Sequence, residues 1–121
     1  MAVVLIIDDS PTELHLFQNM LEEAGFETLV ADSGEEGLKT ARTARPDCIL
    51  MDVVMPGMNG FQATRKLTKD PKTAHIPVII ITSKDQETDK IWGMRQGAVE
   101  YVVKPVSDKD LVATINAVMA G

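Results

Sequence analysis

Asp8, Asp9, Asp52, Thr82, Ser83 and Lys104 are polar or charged side chains that each stand just past an apolar run. The runs are "VVLII" (Val3–Ile7), "CILM" (Cys48–Met51), "VIII" (Val78–Ile81) and "YVV" (Tyr101–Val103). A carboxylate at the end of a buried strand loses hydration and needs a compensating charge or hydrogen bonds. Three such carboxylates brought together repel one another, so either some hold a proton or a cation sits among them. Ligands that are all oxygen favour a hard ion, and a small acidic site with positions open to water and phosphate suits Mg2+. No His or Cys falls at these strand ends to suggest zinc. Lys104 is a mobile point charge of the kind that holds phosphate oxygens, and the Thr82 hydroxyl can donate to the same group. Together they would neutralise a phosphoryl group in transfer, with the Asp52 carboxylate as the nucleophile that forms an aspartyl phosphate.

These residues meet only if the runs are neighbouring strands. The four runs are continuous rather than alternating and rich in β-branched residues, which is the pattern of parallel strands buried on both faces. A fifth run, "ETLVA" (Glu27–Ala31), is weaker and belongs near an edge. Helical segments separate the strands. In the first, Ser10 is the N-cap, Pro11 takes the first helical position and Glu13 is placed to complete a capping box. Leu14, Phe17, Leu21 and Ala24 then recur at helical spacing, and Gly25 stops the helix. Ser33 and Glu36 repeat the device in "SGEEGLKTARTA", and Pro46 closes that connection. "GFQATRKLTKD", "DQETDKIWGMRQG" and "SDKDLVATINAVMAG" read as the remaining three helices. Strands alternating with helices predict a doubly wound (βα)5 domain: a parallel five-stranded sheet with helices on both faces and right-handed crossovers. In such sheets ligands bind outside the carboxyl ends of the strands, where strand order reverses.

The chain is 121 residues, the length of one domain, and 45% hydrophobic, enough for a core. Twelve Lys and Arg against 18 Asp and Glu give a net charge of −6, which argues against a nucleic-acid-binding surface. The lone cysteine, Cys48, lies inside an apolar run and reads as a core residue in a reducing compartment. The opening "MAVVLII" is too short and lacks the basic flank of a signal peptide, and no apolar run approaches the ~20 residues that span a bilayer, so a cytoplasmic location is expected. His15 and His75 read as surface residues, Trp92 as partly buried against the sheet or else an exposed partner contact, and Met51, Met55 and Met58 as packing.

Across its length the sequence resembles the receiver domain of bacterial two-component response regulators. The resemblance rests on "IIDDS" (Ile6–Ser10), "LMDVVMPGMNG" (Leu50–Gly60), "IITS" (Ile80–Ser83) and "YVVKP" (Tyr101–Pro105), in matching order and separation. It implies a flavodoxin-like strand order 2-1-3-4-5 and a stand-alone receiver spanning residues 1–121. It also implies Asp52 as phospho-acceptor and Mg2+ held by Asp9, Asp52 and the Val54 backbone carbonyl, with Asp8 acting largely through water. Thr82, the Ser83 N–H and Lys104 would hold the phosphoryl group, and the Lys104–Pro105 bond would be cis. Thr82 and Tyr101 would form a switch that reshapes the face built by the fourth helix, fifth strand and fifth helix. The implied partners are a histidine kinase as phosphodonor and a downstream protein target, with no nucleic acid and no membrane insertion. "DDSPTE", "WGMRQGA" and "TINAVMAG" resemble, more narrowly, the PilH-type regulators of twitching motility, which act in a chemotaxis-like pathway.

Within that class the domain would act either on a motility target or as a phosphate sink for the kinase. A phosphatase of the haloacid-dehalogenase type also forms an aspartyl phosphate, but it places a second Asp two residues after the nucleophile, where this chain has Val54. A flavin or nucleotide module is disfavoured because the strand-to-helix turns lack a G-x-G-x-x-G loop. Val54 and Lys84 depart from the polar and acidic residues frequent at their positions in receivers, and Ser83 replaces the more usual Ala. Both flank the path of a hydrolytic water, so they are expected to tune phosphate lifetime. Val54→Asn and Lys84→Glu should each change the self-dephosphorylation rate, and rates within about twofold of the parent would refute the assignment.

Overall fold

A computed structural model describes residues 1–121. Five parallel strands alternate with five helices: β1 (Val3–Ile7), α1 (Pro11–Glu23), β2 (Glu27–Ala31), α2 (Gly34–Ala44), β3 (Cys48–Met51), α3 (Gly60–Lys69), β4 (Val78–Thr82), α4 (Glu87–Arg95), β5 (Glu100–Val103) and α5 (Asp108–Ala120). The strand order is β2-β1-β3-β4-β5. The sheet therefore reverses direction of growth between β1 and β3, and the two acidic motifs lie at the ends of those strands.

The continuous apolar runs have a direct cause. Successive side chains of a strand point to opposite faces, and both faces are covered. Leu5, Ile7, Ile49, Met51, Val78 and Ile80 face one way and pack with Ala41 of α2 and Phe61, Ala63 and Leu67 of α3. Val4, Ile6, Cys48, Leu50, Ile79 and Ile81 face the other way, against Phe17 and Leu21 of α1 and Leu111 and Ile115 of α5. Each large side chain so buried stabilises the fold by about 1.5–3 kcal/mol relative to exposure. Cys48 is buried among them, and that burial pushes its thiol pKa to about 12, leaving it inert as a nucleophile.

β2 lies at an edge, as its weaker pattern predicts. β5 corrects the expectation of burial on both faces. It is the other edge strand; Glu100 is exposed and Val103 is 41% exposed, so only Tyr101 is buried. β4 runs one residue further than the apolar run suggests, so Thr82 is its last residue rather than the first of a loop.

The N-caps follow the sequence only in part. Ser10 and Ser33 accept hydrogen bonds from the backbone N–H groups of Glu13 and Glu36. Glu13 does not close the box, because the Ser10 N–H is instead donated to Asp8 Oδ1 at 3.0 Å. A complete reciprocal box forms at α3, where Asn59 and Gln62 exchange bonds of 2.9 Å. Trp92 is half-exposed on α4 rather than packed on the sheet. Its neighbour Gly93 takes the inward position, where a Cβ would stand 2.9 Å from Ile80 Cδ1 and 3.0 Å from Tyr101 Cδ2. His15 and His75 are exposed.

Candidate functional site

Strand register brings the carboxylates together. Ile7 pairs with Met51 across β1 and β3, so the next residues, Asp8 and Asp52, stand side by side. The backbone ladder continues past both strand ends, with the Asp52 N–H donating to Ile7 O at 3.0 Å and the Asp8 N–H to Ala31 O at 3.1 Å. Asp9 joins them, and carboxylate oxygens of all three lie within 4.8 Å of one another. Asp8 and Asp52 are buried while Asp9 is exposed. Burial, followed by the negative charge of Asp8, raises the Asp52 pKa above its ordinary value, with Lys104 opposing.

The turn after Asp52 is held close to it. The Gly60 N–H donates to Val53 O at 2.9 Å, and a Cβ at Gly60 would overlap the Asp52 carbonyl oxygen. Only glycine allows α3 to start this near the acid.

Lys104 arrives from the opposite edge of the site. Its backbone N–H donates to Thr82 O at 2.8 Å, which aligns the end of β5 with that of β4. The ammonium lies 2.7 Å from Glu13 Oε1, 3.2 Å from Asp8 Oδ2 and 3.7 Å from Asp52 Oδ1. It also sits 5.6 Å above the Phe17 ring centroid. Burial pulls the Lys104 pKa down, but the hydrogen bond to Glu13 and the charges of Asp52 and Asp8 outweigh it, and the net shift is upward. The Lys104–Pro105 peptide bond is cis.

The other residues singled out in the sequence are spread around this centre. Thr82 is fully buried and its hydroxyl accepts from the Lys84 N–H at 3.4 Å. Ser83 is exposed and borders a cleft of about 370 Å³ beside Glu13, Phe17, Lys104 and Pro105. Tyr101 is buried, and its hydroxyl donates to the Lys84 carbonyl at 2.8 Å. Burial, then Asp89 and Asp85, push the Tyr101 pKa up to about 12, so it stays a neutral donor. The Lys84 ammonium does not join the acidic cluster; it pairs with Asp89 at 3.6 Å, and Val54 is 61% exposed. Two contributors were not legible as site residues: Glu13, which spacing assigned to a helix cap, and Gly60, whose close approach no local pattern reveals.

The arrangement places an acidic cluster and an ammonium side by side. Two buried carboxylates and one exposed carboxylate form an all-oxygen donor set open to solvent on one side. The lysine answers only part of their charge.

Residues 4–116 match the family of the response regulator receiver domain. The chain is 60% identical over 121 residues to Protein PilH of Pseudomonas aeruginosa, covering all of both chains. It is 34% identical to the transcriptional regulatory protein PhoP of Bacillus subtilis, a regulator of alkaline phosphatase synthesis, over 96% of this chain and 48% of that protein. The chain thus spans about half the length of that relative. Among solved structures, Vibrio cholerae chemotaxis protein CheY4 superposes with a TM-score of 0.92 at 33% identity, covering 98% of each chain.

Replacing Asp52 tests the electrostatics directly. An acid whose folded pKa is raised destabilises the fold while ionised, and that penalty fades as pH falls through the raised value towards 3.8. Asp52→Asn should therefore stabilise the metal-free protein at neutral pH by on the order of 1 kcal/mol. The gain should vanish near pH 3.8 in urea denaturation curves.

Proposed function

The chain belongs to the response regulator receiver domain family, and on that premise we propose that it takes a phosphoryl group from a histidine kinase onto Asp52. One observation carries this reading: the Lys104 ammonium lies within 4 Å of both Asp8 and Asp52, beside three carboxylates whose oxygens fall within 4.8 Å of one another. That combination presents a nucleophilic carboxylate with positive charge at the place where phosphoryl oxygens would arrive.

In the transfer, an Asp52 carboxylate oxygen attacks phosphorus and the P–N bond to the kinase imidazole breaks. The phosphohistidine ring carries a proton on its other nitrogen, so with the bonding pair left on the departing nitrogen the leaving group is a neutral imidazole. Lys104 meets the incoming negative charge as a point cation, while the Thr82 hydroxyl and the Ser83 N–H orient phosphoryl oxygens. Asp8, Asp9, Asp52 and the Val54 carbonyl would hold Mg2+, which when bound neutralises carboxylate and phosphoryl charge. The hydrogen-bond pattern is compatible with this donor set: the Val53 carbonyl is taken by the Gly60 N–H, whereas the Val54 carbonyl accepts no hydrogen bond.

The signal would leave through Thr82 and Tyr101. The Lys84 backbone meets both, donating its N–H to the Thr82 hydroxyl and accepting from the Tyr101 hydroxyl. A Thr82 hydroxyl drawn towards a phosphate would disturb that loop and the ring beneath it, a local charge change acting on a packed element. Ile91, Trp92, Met94, Val99 and Val103 expose apolar surface on and between α4 and β5, which suits the face as the contact for a protein target. The full-length likeness to PilH supports a cytoplasmic role in the chemotaxis-like control of type IV pilus twitching motility.

Incubation with Mg2+ and acetyl phosphate should place one base-labile phosphoryl group on Asp52, located by peptide mass spectrometry. Asp52→Ala should abolish it. Labelling that persists in the variant, or none in the parent protein, would contradict the mechanism.

A further inference from the structure

We propose that Glu13 is a positioning residue that tethers Lys104 away from Asp52 and so restrains phosphorylation. The inference rests on the phosphoryl-transfer reading of the site and assigns a part to a residue outside its nucleophile and donor set. Glu13 stands at the third helical position of α1, where Ser10 as N-cap predicts that its side chain folds back onto the Ser10 N–H. That N–H is already satisfied by Asp8 Oδ1. The Glu13 carboxylate is therefore released from capping and reaches Lys104 Nζ at 2.7 Å.

The distances set the competition. A lysine ammonium has three donors and no fixed fork, so its position follows its best acceptors. Glu13 at 2.7 Å and Asp8 at 3.2 Å are hydrogen-bonded, while Asp52 at 3.7 Å is not. The ammonium is thus centred on the α1 side of the cluster. The ammonium also lies 5.6 Å from the centroid of the Phe17 ring of α1, a cation–π contact that favours this side. A phosphoryl group growing on Asp52 would compete with Glu13, the shortest ion pair of Lys104, for the same ammonium. The Glu13 charge also offsets part of the ammonium's field at Asp52. With the Lys104 and Glu13 side chains 17% and 31% exposed, the pair is screened but not fully solvated, so a modest effect follows.

The test compares the full chain with Glu13→Gln and Glu13→Asp, using phosphoramidate and saturating Mg2+. Glu13→Gln should be phosphorylated on Asp52 about threefold faster than the parent. Glu13→Asp keeps the charge but is one methylene shorter, so it should also be faster if contact, not charge alone, is what matters. A metal-free readout accompanies these rates. Urea midpoints of Glu13→Gln, Lys104→Gln and the double variant should be non-additive, because the pair is in contact. Equal rates for the parent and Glu13→Gln, a parent-like rate for Glu13→Asp, or additive midpoints would each overturn the tether. Absence of label on the parent protein's Asp52 would instead overturn the phosphoryl-transfer reading on which it rests.

Discussion

The repulsion among Asp8, Asp9 and Asp52 is the constraint around which the rest of this molecule is arranged. Their backbones cannot separate to relieve it. Asp8 and Asp52 are fixed by ladder bonds that continue the sheet beyond β1 and β3, and Gly60 closes the loop tightly against Asp52. Relief must come from outside, as a cation, a proton or a chemical change. Lys104 supplies one positive charge, and Asp52 still keeps a raised pKa. Asp52 is thus partly dehydrated and undercompensated, a strained electrostatic state of the kind found at functional sites.

The scaffold separates a rigid part from a responsive part. β1, β3 and β4 are the inner strands, buried between two helical layers, and they hold the acids and Thr82. Tyr101 lies on β5, an edge strand with exposed residues, and Lys104 stands just past its end. The acids and Thr82 therefore lie on the most constrained elements, while Lys104 and Tyr101 lie on or beside an edge strand. Tyr101 fits against α4 because Gly93 lacks a side chain. That packing joins the site to the face where Trp92 and Ile91 are exposed.

Much of this could be read from residues alone, for identifiable reasons. Burial on both sheet faces writes itself as runs such as "VVLII" and "CILM", and parallel strands between helices bring successive strand ends to one rim. The order of the strands is different: nothing in the composition of "VIII" or "YVV" says which is central, and the resemblance to receivers supplied it. For the same reason β5 was expected to be buried on both faces, although edge position leaves Glu100 and Val103 exposed. Glu13 escaped because a local rule, the capping box, competed with a contact 91 residues away in the chain, from Glu13 to Lys104. For Trp92, side-chain size favours the reading of burial over that of exposure, but the space against the sheet is taken by Gly93 and leaves Trp92 half-exposed.

The central claim is that the carboxylate cluster forms a specific, cation-demanding site rather than a loosely solvated acidic surface. Its most direct test is the urea midpoint of the metal-free protein at neutral pH as MgCl2 is added at constant ionic strength, balanced with NaCl. A site that binds the ion only when folded should raise the midpoint along a saturable curve. A midpoint that does not change with Mg2+ at fixed ionic strength would contradict the account.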